Sequence, residues 1–118
     1  MNSNRFIYKL INTTESSKEI LWTRIGHPSE DYPSYRMKGQ NGIQVELKQF
    51  DISLYADDGS IVTVPEVVAE LQDEKGINLG YIYSRDLDDP DDLQRLYRIA
   101  QLNANDVDKL TDDFFGNS

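Results

Sequence analysis

The stretch "NGIQVELKQFDISLYADDGS", residues 41–60, decides the fold class of this chain. It opens with Asn41-Gly42, a dipeptide whose easy access to positive φ closes tight hairpins. Ile43, Val45 and Leu47 then alternate with polar residues, the period of a strand with one buried face. Ile52 and Leu54 continue the run on even positions, so the phase changes between Gln49 and Phe50, and an extra residue there predicts a bulge or a strand break. "ADDGS", 56–60, closes the run with a second turn signal.

A strand bracketed by two turns needs antiparallel neighbours, and the flanking sequence supplies them. Upstream, "EILWTRI" (19–25) is rich in β-branched and aromatic residues, and "SYRMKG" (34–39) follows as a less regular strand. Downstream, "IVTVPEVVAELQ" leads to the turn "DEKG" (73–76) and then to "INLGYIYS" (77–84). Pro65 has no N–H to give a ladder, so its stretch reads as an edge or as two short pieces. The expectation is a mostly antiparallel meander of about five strands.

Helical patterns stand at both ends. Phe6, Ile7, Leu10 and Ile11 share one helical face, with Ser3 placed as N-cap. In "DLDDPDDLQRLYRIA" (86–100), Asp89 fits an N-cap, Pro90 the first helical position, and Asp91 and Asp92 the first turn, where the helix dipole favours negative charge. Leu93, Leu96, Tyr97, Ala100 and Ala104 then form an apolar stripe. Asn105 with Asp108 offers a second cap before Val107, Leu110 and Phe114, so one bent helix or two fit the pattern. The fold class is α+β: a short N-terminal helix, the meander, and C-terminal helices packed on one face. Residues 1–118 are the size of one domain.

Composition narrows the function. Apolar residues make up 38% of the chain, below the ~45–50% of typical domains, so the core is thin. There is no cysteine, which removes disulfides, thiolate zinc and cysteine nucleophiles and fits a reducing cytoplasm. No apolar run is long enough for a membrane span or a signal peptide. The net charge is −9, and residues 86–113 hold nine aspartates against Arg95, Arg98 and Lys109. That balance repels nucleic acid phosphates and anionic lipid; it reads first as ordinary solubility, and as the mark of a protein partner, a basic one, in the alternative.

Chemistry finds few footholds. A calcium loop counted from Asp86 would need glycine at its sixth position and glutamate at its twelfth, where Asp91 and Tyr97 stand. His27 is the only histidine, so a histidine metal cluster is ruled out. A triad would draw on Ser29 or Ser34 and on Glu30 or Asp31, neighbours in the loop "GHPSEDYPS" (26–34) where locked geometry is rare; His27 reads as a solvated loop residue. Glycine-rich phosphate loops are absent, and no motif calls for a cofactor. Tyr81 and Tyr83, with Leu79, share one strand face; they form either a core layer under the helices or an exposed aromatic face for a partner, and Trp22 carries the same alternative.

Two segments, "LINTTESSKEILWTRI" (10–25) and "LQRLYRIAQLNANDVDKLTDDFF" (93–115), resemble a loose group of small uncharacterised bacterial proteins. Those share a short helix ending in a Thr/Ser turn, a Leu-x-Trp strand, a β-meander and a terminal Leu-x-x-Leu-Tyr helix. The resemblance implies the same α–β–α order and brings no activity.

With every acid explained by a turn, a cap or the surface, the leading expectation is a non-enzymatic protein-interaction module that binds through the open face or edge of its sheet. Trp22, Tyr81, Tyr83, Asp106, Asp108, Asp112 and Asp113 are its candidate partner-binding residues. The alternatives are an acidic inhibitor or immunity protein competing with nucleic acid for a basic site, and a small-ligand-binding or hydrolytic protein.

Overall fold

The computed structural model of the chain describes residues 2–26 and 32–116, the side chains of residues 107 and 108 excepted. His27, Ser29, Glu30, Asp31 and the side chain of Asp108 therefore lie outside the described residues. Helix α1 (Ser3–Ser16) is followed by strands β1 (Trp22–Ile25), β2 (Ser34–Lys38), β3 (Gln44–Tyr55), β4 (Ile61–Gln72) and β5 (Asn78–Tyr83), then by helices α2 (Asp92–Ala104) and α3 (Val107–Phe114). The strands form one antiparallel sheet in sequence order, the expected α+β meander. Asn41 and Gly42 both take positive φ, 61° and 74°, as the β2–β3 hairpin requires.

Side-chain parity sets the layers. Trp22, Tyr35, Val45, Leu47, Val67, Ala69 and Ile82 point to one side of the sheet and form the core with Ile7, Leu10 and Ile11 of α1 and Leu93, Leu96 and Ala100 of α2. Trp22, weighed above as a partner-binding residue, is instead fully buried. Its indole N–H donates to Thr14 Oγ1 at 2.9 Å, and the Thr14 hydroxyl donates on to the Leu10 carbonyl at 2.7 Å. That chain satisfies the one polar atom of the largest core side chain. Asn103 ties the end of α2 to the start of β1: its Oδ1 accepts from the backbone N–H of Leu21 (2.7 Å) and Trp22 (3.1 Å), and its Nδ2 donates to the Glu19 carbonyl (2.9 Å).

The bulge expected between Gln49 and Phe50 does not form. Register between β3 and β4 runs unbroken from Gln44↔Gln72 to Tyr55↔Ile61, and the irregularity falls instead at Leu71/Gln72 against β5. The phase change has another cause. Strand β2 pairs with β3 only as far as Leu47, and β5 pairs with β4 only from Val68, so the rest of the β3–β4 hairpin leaves the sheet as a two-stranded ribbon. On that ribbon the apolar residues move to the side away from the helices.

Pro65 does not split β4, and its place explains why. Ala56 N–H donates to the Ser60 carbonyl at the hairpin end, so the even residues of β3 and β4 point their peptide groups inward and the odd ones outward. The nitrogen of Pro65 thus faces the ribbon's outer rim, beyond β5, where no ladder bond is lost. Its carbonyl accepts from Gln94 Nε2 of α2 at 3.2 Å.

The helix starts lie one or two residues from their expected places. Asn2, not Ser3, caps α1, its side chain accepting from Arg5 N–H at 3.0 Å. Asp89 accepts from Asp91 N–H at 2.9 Å, a tight turn that holds Pro90 and Asp91 before the helix, and α2 begins at Asp92. Two helices, not one bent one, end the chain, divided at Asp106, whose φ of 48° is left-handed. Asn105 is the last cap of α2 and Asp106 stands at the N-cap position of α3, making no side-chain cap bond. Helices α1 and α2 cover the sheet; Leu110, Phe114 and Phe115 around α3 are exposed.

Candidate interaction face of the sheet

Among the described residues no helix packs on the other side of the sheet, and the even residues of β3 and β4 lie there. Along the ribbon they make an apolar lane of Phe50, Ile52 and Leu54 against Glu66, Val64 and Val62. Phe50, Leu54 and Val62 are 40–50% exposed, an uncommon state for neighbouring large apolar side chains. Nearer the sheet's centre the lane continues into Val68 and its β5 neighbour Tyr83. Tyr81 pairs with Glu70 in the next row, and the two tyrosine rings lie 5.7 Å apart. The guanidinium of Arg85 sits 4.3 Å above the Tyr83 ring. Of the two alternatives for Tyr81 and Tyr83, their placement is on the uncovered face and not under the helices, where Ile82 takes the core position.

Beside the lane lies a charged network. Lys48 Nζ stands 2.8 Å from Glu70 Oε1 and 3.5 Å from Glu46, and Arg36 donates to Glu46 at 2.8 Å. Gln72 Nε2 and Asn78 Nδ2 donate to the two oxygens of Glu70, at 2.6 and 2.7 Å, and Gln44 donates to Gln72 at 2.9 Å. Both glutamates are only 5% exposed although no helix covers them. Burial pushes the Glu70 carboxyl up, but bonds from Lys48, Asn78 and Gln72 outweigh it and hold the group at about 2. Glu70 in turn raises the Lys48 ammonium and, by its charge, the Tyr81 phenol. Glu46 and Glu70 are thus sunk beneath their cations, while Glu66, half-buried opposite Phe50, accepts from the Ser84 hydroxyl; Lys48 and Arg85 stand at least partly exposed on the same face. In a chain of net charge −9, this face is the exception.

On the open face Glu46 and Glu70 are neutralised by Arg36 and Lys48, and Glu66 is hydrogen-bonded by the Ser84 hydroxyl. On the helix side, burial pushes the Tyr97 hydroxyl up to about 12 while it donates to the Pro33 carbonyl at 2.6 Å, a structural bond. A cleft of about 330 Å³ lies between the ends of α1 and α2, lined by Thr14, Ser17, Ile20, Ile99, Leu102 and Asn103. Among the described residues no three His, Cys, Asp or Glu side chains converge on a metal position, and no helix is long and apolar enough to cross a membrane.

The candidate residues therefore separate. Tyr81 and Tyr83 lie on the open face, Trp22 in the core, and Asp106, Asp112 and Asp113 on or beside α3. Phe50, Leu54 and Val62 were absent from the sequence-based set; the even-position run Phe50, Ile52, Leu54 opposite Val62 and Val64 was their signal. No family model, curated protein or solved structure matches the chain.

Proposed function

We propose that the chain is a non-enzymatic protein-interaction module whose docking surface is the open face of the sheet. The observation that carries this reading is the half-exposed lane of Phe50, Leu54 and Val62 on a ribbon that no other element covers among the described residues. A two-stranded hairpin is marginal by itself in water, and an apolar face on it gains most when another protein covers it. Tyr81 and Arg85 at the lane's inner end supply the aromatic and guanidinium groups that interfaces favour. The test compares proteins captured by the wild-type chain with those captured by Leu54→Glu and by Tyr81→Ala, each with a circular dichroism spectrum matching wild type. Loss of one specific partner in both variants supports the reading; retention of every partner refutes it.

A second reading, the acidic inhibitor, draws support from α3. Leu110, Phe114 and Phe115 are exposed beside Asp112 and Asp113, an amphipathic helix suited to an apolar groove with a basic rim. It predicts that Asp112→Asn with Asp113→Asn, or salt raised from about 0.05 to about 0.5 M, weakens partner binding strongly, whereas docking through the lane is little changed by either.

A further inference from the structure

We infer that Asn41 is a modification site of the folded chain: the Gly42 nitrogen attacks its side-chain amide, and the aspartyl and isoaspartyl products loosen the β2–β3 hairpin. The inference is independent of the docking-face reading. It rests on how this turn differs from the chain's other turns and asparagines.

The reaction needs a side-chain amide and the nitrogen of the next residue, both unengaged and open to water. Asn41 and Gly42 are exposed, and among the described residues neither the Asn41 amide nor the Gly42 N–H has a hydrogen-bond partner. The turn is held by Gly39 N–H donating to the Ile43 carbonyl at 2.8 Å and by Ile43 N–H donating to the Gln40 carbonyl at 3.3 Å. Neither bond uses the peptide unit between Asn41 and Gly42, so that unit can rotate toward the side chain by a local opening while the hairpin stays paired. A glycine after it removes the steric bar to that rotation.

Asp58-Gly59, the same pattern in the β3–β4 hairpin, is tied at both points. The Asp58 carboxylate accepts from the N–H and hydroxyl of Ser60 at 2.9 and 2.6 Å, and Gly59 N–H donates to the Ala56 carbonyl at 2.9 Å. The other described asparagines are held as well. The side chains of Asn2, Asn4, Asn78 and Asn103 carry hydrogen bonds, Asn12 lies within α1, and behind Asn105 the N–H of Asp106 donates to the Asn103 carbonyl.

In the first step the Gly42 nitrogen gives its proton to water and bonds to Asn41 Cγ, while the Cγ–Nδ2 bond breaks and ammonia leaves with a proton from water. The product is a cyclic imide, which water then opens. Opening at Cγ restores the ordinary backbone with a carboxylate at position 41. Opening at the main-chain carbonyl leaves the chain running through Cγ, one methylene longer. The sum is amide plus water giving carboxylate plus ammonium. Either product meets like charge, because a Glu74 carboxylate oxygen lies 3.4 Å from where a Cβ on Gly42 would stand and Asp73 lines the same hollow. The longer backbone also strains a turn whose length its two hydrogen bonds fix, and that turn joins the strands carrying Tyr35 and Leu47 into the core.

Peptide mapping by mass spectrometry, on the folded chain stored for weeks at neutral and at mildly alkaline pH, tests the inference. The peptide holding residues 41–42 should gain about one mass unit and separate into two products, faster in alkali, where the nitrogen loses its proton more readily. Asp58 and the other described asparagines should stay intact over the same time. The thermal midpoint should fall as product accumulates, and fall less in Glu74→Gln. Asn41→Gly removes the amide and keeps a sequence suited to positive φ, so it should hold its midpoint through the same storage. An Asn41 that stays intact in the folded chain overturns the inference, and its conversion in urea alone would show that the turn protects it. Conversion of Asp58 or another described asparagine at an equal rate also overturns it, because the unengaged nitrogen would then decide nothing. Conversion at Asn41 with an unchanged midpoint refutes the loosening of the hairpin.

Discussion

Replacing Asn103 by alanine should destabilise the fold by about 2–3 kcal/mol, and the figure follows from what its amide holds. Two backbone N–H groups, those of Leu21 and Trp22, donate to its single Oδ1. Trp22 is fully buried and Leu21 partly so, and water is poorly placed to replace the lost acceptor. A buried donor left unpaired costs about 1–3 kcal/mol, and the weaker helix propensity of Asn returns about 0.5 when Ala replaces it. The carbonyl of exposed Glu19 loses its donor as well but turns to solvent. Asn103→Asp is the control: it keeps the acceptor for both N–H groups and gives up only the bond to Glu19, so its cost should stay within about 1 kcal/mol. Trp22, the only tryptophan, reports urea unfolding through its fluorescence, since it passes from a dry core to water. With a slope of about 1–3 kcal/mol per molar urea, the alanine variant should lose about 1–2 M of midpoint and the aspartate variant less than half of that. Equal midpoints for the two variants would refute the argument, because the shared acceptor would then hold nothing.

The network on the open face makes stability depend on acid. Glu70 is held at about 2 against an ordinary 4.5, so its contribution is complete above pH 4.5 and disappears as pH falls toward 2; partial exposure of Lys48 limits it to about 1–2 kcal/mol. Glu70→Gln should lower the urea midpoint at pH 7 and flatten the decline between pH 5 and 2, and an unaltered slope in that window would count against the assignment. At the start of α2, Asp89→Ala should cost about 0.5–2 kcal/mol through the lost bond to Asp91 N–H, while Asp91→Ala, whose carboxylate makes no cap bond, should stay within about 0.5. Thermal midpoints of the two variants measure the difference.

Much of the fold was legible because local chemistry and tertiary structure agree. Asn41-Gly42 reads as a hairpin and is one; the aspartates of 86–92 read as a helix start and lead into one. The errors arose where local pattern has two meanings. A phase change in apolar residues is the mark of a bulge within a sheet, but it is equally the mark of a ribbon that leaves the sheet and turns its apolar side outward. Only the ends of β2 and β5, at Ser34 and Tyr83, choose between them, and those depend on pairing between distant segments. The same ambiguity hid the site. Strand β5 carries apolar residues on both parities, Ile82 on one and Tyr81 and Tyr83 on the other, so its inner face follows from where α2 lies. Trp22 reads from sequence as either anchor or core, and the acceptor that decides the matter, Thr14, lies eight residues away on another element.

Pro65 carries a consequence for the chain at high concentration. Beyond Val68 the outer rim of β4 has no strand beside it, and a rim of this kind is where extended segments of other molecules attach one after another into fibrils. At Pro65 that growth meets a step without a donor and a carbonyl already engaged by Gln94. Substituting valine would restore the missing donor and make the rim a better template, and the expected outcome is faster fibril growth at high concentration than in the chain with Pro65.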